Sequence, residues 1–198
     1  MKLMLSADQL REGVTRMAGH INQHYGRRPL TIVGVLTGSI VLLADLIRQL
    51  EMPLRITLVQ ASSYRGRATA PGPLHVDSGS LVDLRGHDVL IVDDIYDTGR
   101  TLEEMISLID ATNPASVRVA VLLRKLGRQQ IAIEPDWIGF DIPDEFVVGY
   151  GLDYDDLYRN LPYLAALEPS DLSPSDLAPR DQAPRDLVPP RGDAEPRE

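Results

Sequence analysis

The sequence predicts an α/β protein with a mostly parallel central sheet flanked by helices, and three observations carry that prediction. Short, almost wholly apolar runs such as LTIVGVL (30–36) and VLIV (89–92) have the composition of strands buried on both faces. Longer stretches with apolar residues at helical spacing lie between them. Strand and helix alternate along the chain, as parallel strands require, because each return to the same edge needs a crossover packed on one face of the sheet.

Taken in order, Ser6 and Gln9 have the spacing of a capping box, and Leu10, Val14, Met17, Ile21 and Tyr25 then recur on one helical face until Gly26. Leu30 to Leu36 is a strand that ends at Thr37-Gly38-Ser39, and IVLLADLIRQLEM (40–52) follows with helical length and composition. LRITLVQ (54–60) alternates roughly at period two and makes another strand. Val89 to Val92 forms a buried one. Leu102, Met105, Ile106 and Ile109 mark one face of the next helix, which Pro114 closes, with Thr101 and Glu104 in capping-box register at its start. Val117 to Leu123 is the following strand.

At 198 residues with 43% hydrophobic and 25% charged content, the chain can fill one catalytic-size core. From Glu168 onward it holds 7 of the 15 prolines and no aromatic residue, a composition that buries too little apolar area to offset ordering entropy. Two units follow: a domain over 1–167 and a Pro-rich, disordered tail over 168–198. The absence of cysteine removes disulfides and Cys-based zinc sites and fits a reducing compartment. No apolar run approaches the roughly 20 residues of a membrane span, and the N-terminal run is too short for a signal-peptide core, so a cytoplasmic protein without a membrane partner is expected. The tail has eight acids and four bases, which leaves −5 of the total −9 on residues 1–167. That balance argues against nucleic acid as a partner.

The segment VLIVDDIYDTGRT (89–101) carries the chemistry. Ligands of open parallel sheets sit at the carboxyl ends of the strands, which is where Asp93 and Asp94 fall. Thr98 to Thr101 open the next helix, whose first backbone N–H groups are unpaired and partly positive, so they can hold a phosphate without a basic side chain. Gly99 allows the close approach, and the two threonines add hydroxyl donors. The carboxylates must then serve hydroxyls or a divalent cation on the same ligand. A phosphate, vicinal hydroxyls and a magnesium-binding group together describe a phosphoribosyl compound.

This segment resembles the phosphoribosyl-diphosphate signature of the type I phosphoribosyltransferases. GVLTGSIVLLADLI (34–47), SSY (62–64), VAVLLRK (119–125) and above all IPDEFVVGYGLDYDDLYRNLPY (142–163) narrow the resemblance to the hypoxanthine (hypoxanthine-guanine) phosphoribosyltransferases, over nearly all of residues 1–167. It implies the type I fold with a small hood from the C-terminal half. It also implies Mg2+ as cofactor, phosphoribosyl diphosphate and a 6-oxopurine as small-molecule substrates, purine salvage as the role, and a homodimer or homotetramer.

Position by position, the resemblance implies that Asp93 and Asp94 engage the ribose hydroxyls and metal, and that Asp97 is the general acid/base near purine N7. Asp97, Thr98, Gly99, Arg100 and Thr101 would bind the 5'-phosphate. Leu36, Thr37 and Gly38 would form the diphosphate loop, where a non-proline cis peptide is usual, and Arg159 would grip the leaving diphosphate. Thr37 stands where other members carry Lys. Lys125 would donate to the oxygen at purine position 6, Phe146 would stack on the ring, and Val147 would read the Watson–Crick edge through its backbone. Asp153 would serve the 2-position and a second magnesium. Ser63 and Tyr64 would belong to a lid over 62–75.

Two alternatives share the signature: a non-catalytic phosphoribosyl-binding RNA regulator, which should show a basic face, and a xanthine-preferring transferase, which differs at the 2-position contacts. His20 and His24, four apart on the first helix, read as a solvated face, and Asp155 and Asp156 as surface charge.

Overall fold

The computed structural model describes residues 1–60, 84–168 and 171. The expected lid with Ser63 and Tyr64, and nearly all of the Pro-rich segment, lie outside the described residues. Met1–Leu167 forms one compact unit.

The elements run β1 (Lys2–Leu5), α1 (Ala7–Tyr25), β2 (Leu30–Leu36), α2 (Ile40–Ile47), β3 (Leu54–Gln60), β4 (Asp88–Tyr96), α3 (Arg100–Asp110), β5 (Ser116–Lys125), β6 (Trp137–Ile142), β7 (Val147–Val148) and β8 (Leu164–Ala166). The central sheet has the order β3-β2-β4-β5-β6, and every neighbouring pair is parallel. On one face, Leu10, Val14, Met17 and Ile21 of α1 and Leu42 and Leu46 of α2 pack with Ile32, Leu90, Val92 and Leu122. On the other, Leu102, Met105 and Ile109 of α3 pack with Val33, Val35, Ile91, Val119 and Val121. Successive strand residues thus enter opposite cores, which is why the central strands read as unbroken apolar runs. At Gly13, α1 lies so close to β6 that a Cβ would overlap the Phe140 ring.

The capping box at Ser6 and Gln9 is formed in both directions. The one expected at Thr101 and Glu104 is not. Helix α3 begins two residues earlier, with Gly99 as N-cap in the left-handed region at φ 92° and no side-chain cap bond. Gly99 lets the chain turn sharply off β4, and that turn sets the helix start ahead of the Thr101 register. Strand β4 also outruns the predicted Val89–Val92: its pairing with β5 continues through Asp93↔Val121 to Tyr96↔Arg124. Asp93 and Asp94 are therefore strand residues, and Asp93 is buried.

Strand β6 and a second, three-stranded antiparallel sheet of order β1-β8-β7 were not legible as separate elements. This small sheet draws its outer strand from the N-terminus, so the C-terminal half does not build it alone. His20 and His24 are both exposed, and the His24 ring also meets Trp137 edge-on at 5.5 Å.

Candidate active site

The end of β4 supplies the acid pair. Alternation along the strand puts Asp93 on the face of Ile91 and Asp94 on the face of Val92. The Asp94 N–H donates to Asp93 Oδ1 at 2.9 Å. Burial pushes the Asp93 carboxyl well above the ordinary carboxylate range, and the neighbouring Asp94 charge adds to the shift. Burial raises Asp94 as well, while Arg159 acts in the opposite direction.

A raised folded-state pKa makes Asp93's contribution to stability fully present below the unfolded carboxylate range of about 4 and lost as pH rises through the folded value. Asp93→Asn keeps the oxygen that accepts from Asp94 and removes the buried charge. Without ligands it is expected to raise Tm at pH 8, where each kcal/mol corresponds to ~2–4 °C, and to leave Tm at pH 4 nearly unchanged. Melting curves at the two pH values check this, and a lower Tm at pH 8 would contradict it.

After the acids the chain forms the turn Asp97–Thr101. Without a side-chain cap, the first N–H groups of α3 are not consumed locally, as an anion cradle requires. A second loop braces the turn: the N–H groups of Gln130 and Ile131 donate to Thr98 O at 3.0 and 3.2 Å, and Arg100 Nη2 donates to Gln130 Oε1 at 3.0 Å. The Tyr96 hydroxyl reaches Ile131 O at 2.9 Å.

Strand β5 delivers Lys125 to the same end of the sheet. Its Nζ lies 3.7 Å from Asp97 Oδ2 and 3.5 Å from Asp144 Oδ1. Phe146 is 48% exposed and meets Tyr154 edge-on at 5.6 Å, whereas Val147 is buried in β7. A half-exposed aromatic is suited to a flat ligand ring.

The Leu36–Thr37 peptide is cis. Just beyond it, a Cβ at Gly38 would overlap Asp94 Oδ2, and a Cβ at Gly151 would overlap the Gly38 carbonyl oxygen. The diphosphate-loop residues, the acid pair and the C-terminal block therefore meet through two glycines. Gly149, Tyr150 and Gly151 are consecutive positive-φ residues, and the Tyr150 hydroxyl donates to Asp45 Oδ2 of α2 at 2.7 Å. Burial, then this bond to the Asp45 carboxylate, raises the tyrosine's pKa. Arg159 donates through Nη1 to Gly151 O at 2.8 Å and pairs through Nη2 with Asp153 Oδ1 at 2.9 Å. Asp153 Oδ2 also accepts from the Asp156 N–H. Asp156 lies 3.4 Å from Arg159, so it belongs to this cluster as well as to the surface.

Of the residues expected at the site, Asp97 meets Lys125, while Gly38, Asp94 and Asp153 are linked through Gly151 and Arg159. Phe146 and Val147 stand at β7 of the smaller sheet, and Ser63 and Tyr64 lie outside the described residues. Sequence reasoning missed Arg128, Asp144, Tyr150, Asp45 and the contact role of Gly151. Of these only the GYG triplet leaves a signal, since two glycines around a tyrosine mark unusual backbone.

A family model described as the phosphoribosyl transferase domain matches residues 6–155. The chain belongs to the phosphoribosyltransferase family. It is 39% identical over 166 residues to a hypoxanthine-guanine phosphoribosyltransferase of Staphylococcus epidermidis, covering 84% of this chain and 93% of that protein. It is also 39% identical over 169 residues to the bifunctional protein TilS/HprT of Listeria innocua, covering 85% of this chain but only 26% of that longer protein. Among solved structures, a hypoxanthine phosphoribosyltransferase of Staphylococcus aureus matches with a TM-score of 0.81 at 35% identity, over 87% of this chain and 94% of that one. A hypoxanthine phosphoribosyl transferase of Trypanosoma cruzi matches with a TM-score of 0.79 at 34% identity, over 86% and 92%. These relatives place the phosphoribosyltransferase in the hypoxanthine-guanine branch of its family. Among its described residues, no helix is long and apolar enough to cross a membrane.

Proposed function

We propose that this phosphoribosyltransferase transfers the 5-phosphoribosyl group from 5-phosphoribosyl 1-diphosphate to hypoxanthine and guanine, giving IMP or GMP and diphosphate, in purine salvage in the cytoplasm. The observation that carries the reading is the adjacent pair of Lys125 Nζ and Asp97 Oδ2, 3.7 Å apart. Position 6 and N7 are neighbours on one edge of a purine, so one ammonium and one carboxylate can address both. A lysine only donates, which suits a 6-oxo group and not the amino group of adenine.

In this reading a purine nitrogen forms the bond to C1 as the bond to diphosphate breaks, through a state with oxocarbenium character. Asp97 takes the proton released from N7. The Asp97–Thr101 turn holds the 5'-phosphate through backbone N–H groups, and the Leu36–Gly38 loop with Arg159 holds the diphosphate, so the two ends of the donor are fixed across the reacting carbon. Phe146 stacks on the base, the Val147 backbone reads its Watson–Crick edge, and Asp153 lies at the 2-position side. Ser63 and Tyr64 belong to a segment that excludes water during transfer.

Among the described residues, no three potential metal ligands gather as a cage. Mg2+ normally takes one or two carboxylates and completes its shell with substrate phosphates and water, so the oxygen donors of Asp93 and Asp94 fit it, with Asp153 as a further ligand toward the diphosphate. When bound, Mg2+ supplies charge neutralisation for the leaving diphosphate. The active assembly is a homodimer or homotetramer.

Incubating the protein with donor, Mg2+ and hypoxanthine, guanine, xanthine or adenine in turn tests the reading. Nucleotide should form from hypoxanthine and guanine. Lys125→Ala should raise KM for both bases by about tenfold or more while leaving the donor's KM within about twofold. A preference for xanthine, or no turnover with any 6-oxopurine, would refute the substrate assignment.

A further inference from the structure

Lys125 is not the cation closest to Asp97. Arg128 Nε donates to Asp97 Oδ1 at 2.9 Å, whereas Lys125 Nζ stands 3.7 Å from Oδ2. Asp144 faces both cations, at 3.5 Å from Lys125 and 3.6 Å from Arg128. The two oxygens of Asp97 are therefore employed differently. Oδ1 is held by a directional, charge-assisted hydrogen bond, and Oδ2 lies beside the lysine at a looser distance.

We infer that Arg128 is a positioning residue for the reaction: by holding Asp97 Oδ1 it fixes the carboxylate plane so that Oδ2 is presented next to Lys125, toward the N7 edge of the base. The inference rests on the roles given above to Asp97 and Lys125. A carboxylate on a single χ2 torsion turns readily, because such terminal torsions are broad. A proton acceptor that also stabilises the transition state has to be held before the base arrives, and an Nε–H bond to one oxygen does that without occupying the other.

The segment carrying Arg128 is anchored on both sides of the motif it serves. Gln129 bonds through its side-chain amide to Lys125 O. The N–H groups of Gln130 and Ile131 donate to Thr98 O, next to Asp97. The segment carrying the guanidinium is thus tied through the Gln129 side chain to the lysine's carbonyl on one side and through backbone N–H groups to the Thr98 carbonyl on the other. Arg128 is 44% exposed, and an exposed ion pair contributes little to folding, so stability does not account for the contact. Asp144 adds a second negative charge opposite the two cations, at longer range than the Arg128–Asp97 bond.

Steady-state kinetics of Arg128→Ala, Arg128→Lys and Arg128→Gln with hypoxanthine and the diphosphate donor, with Tm measured alongside, test the inference. Arg128→Ala is expected to lower kcat by ~10–100-fold, with the donor's KM within about twofold of wild type, because a misplaced catalytic group costs on that order. Tm should stay unchanged. Arg128→Lys and Arg128→Gln, which each keep a donor, should recover part of the loss. Wild-type kcat in Arg128→Ala would overturn the inference alone, as would a rise in the donor's KM or a fall in Tm that accounts for the loss. Wild-type protein that makes no nucleotide from any 6-oxopurine would overturn the reading of Asp97 and the inference with it.

Discussion

Asp97→Asn is expected to lower kcat for nucleotide formation from hypoxanthine by ~10²–10⁴-fold, the range that a positioned general base contributes. Asparagine has the same shape and keeps one oxygen able to accept from Arg128, which now reaches Asp97 Oδ1 at 2.9 Å. What it cannot do is take the N7 proton, because an amide nitrogen donates. Binding of the donor should change little. The turn that would hold the 5'-phosphate acts through backbone N–H groups at the start of α3, and these survive the substitution. Stopped assays over a range of hypoxanthine concentrations give kcat, and equilibrium titration with the diphosphate donor gives its affinity. An Asp97→Asn enzyme within about threefold of wild type would remove the residue from the proton path.

Gly151→Ala should damage both stability and donor binding. Gly151 has φ +101°, a conformation that side chains rarely adopt, and its added Cβ would overlap the carbonyl oxygen of Gly38. The obstacle is backbone and cannot swing aside as a flexible side chain would. Gly38 in turn abuts Asp94 Oδ2, so any retreat of the diphosphate loop presses on the acid pair. Backbone strain alone costs on the order of 1–3 kcal/mol, or roughly 2–4 °C in Tm per kcal/mol for a domain of this size. The donor's KM should rise by about tenfold or more as Arg159, which donates to Gly151 O, loses its register. Gly127→Ala is the control: φ there is +78° and nothing lies within 4 Å of the added atom, so it carries the conformational cost without the collision. If the two variants lost equal stability and neither changed the donor's KM, the contact between the loops would have no functional weight.

Much of this site was readable from the chain because its chemistry is local. The phosphate turn, the acid pair and Asp97 fall within thirteen residues, at the end of an apolar strand and the start of an amphipathic helix, and the periodicity change between them marks the place. The expected capping box at Thr101 failed for a related reason. A cap is decided by where the helix begins, and Gly99 moved that point by two residues. Strands β7 and β8, of two and three residues, are too short to show a period, and β1 pairs with β8 across almost the whole chain. Arg128, in KLGRQQ, has no motif around it; its importance depends on a fold that returns it to Asp97.

By itself, then, the sequence determined the class of fold and the order of most of the central elements, which follow from apolar periodicity. Helix-start chemistry and side-chain types at short spacing marked a turn suited to a phosphorylated sugar, whereas the purine-facing residues came only from the resemblance to the hypoxanthine-guanine phosphoribosyltransferases. Only the tertiary structure decided which of those groups touch. It set Asp94 against Gly38 and Gly38 against Gly151, tied Tyr150 to Asp45, and gave the two oxygens of Asp97 to two different cations. Such contacts join residues from just under thirty to more than a hundred positions apart. Their geometry arises from sheet register and loop packing, which no local pattern encodes.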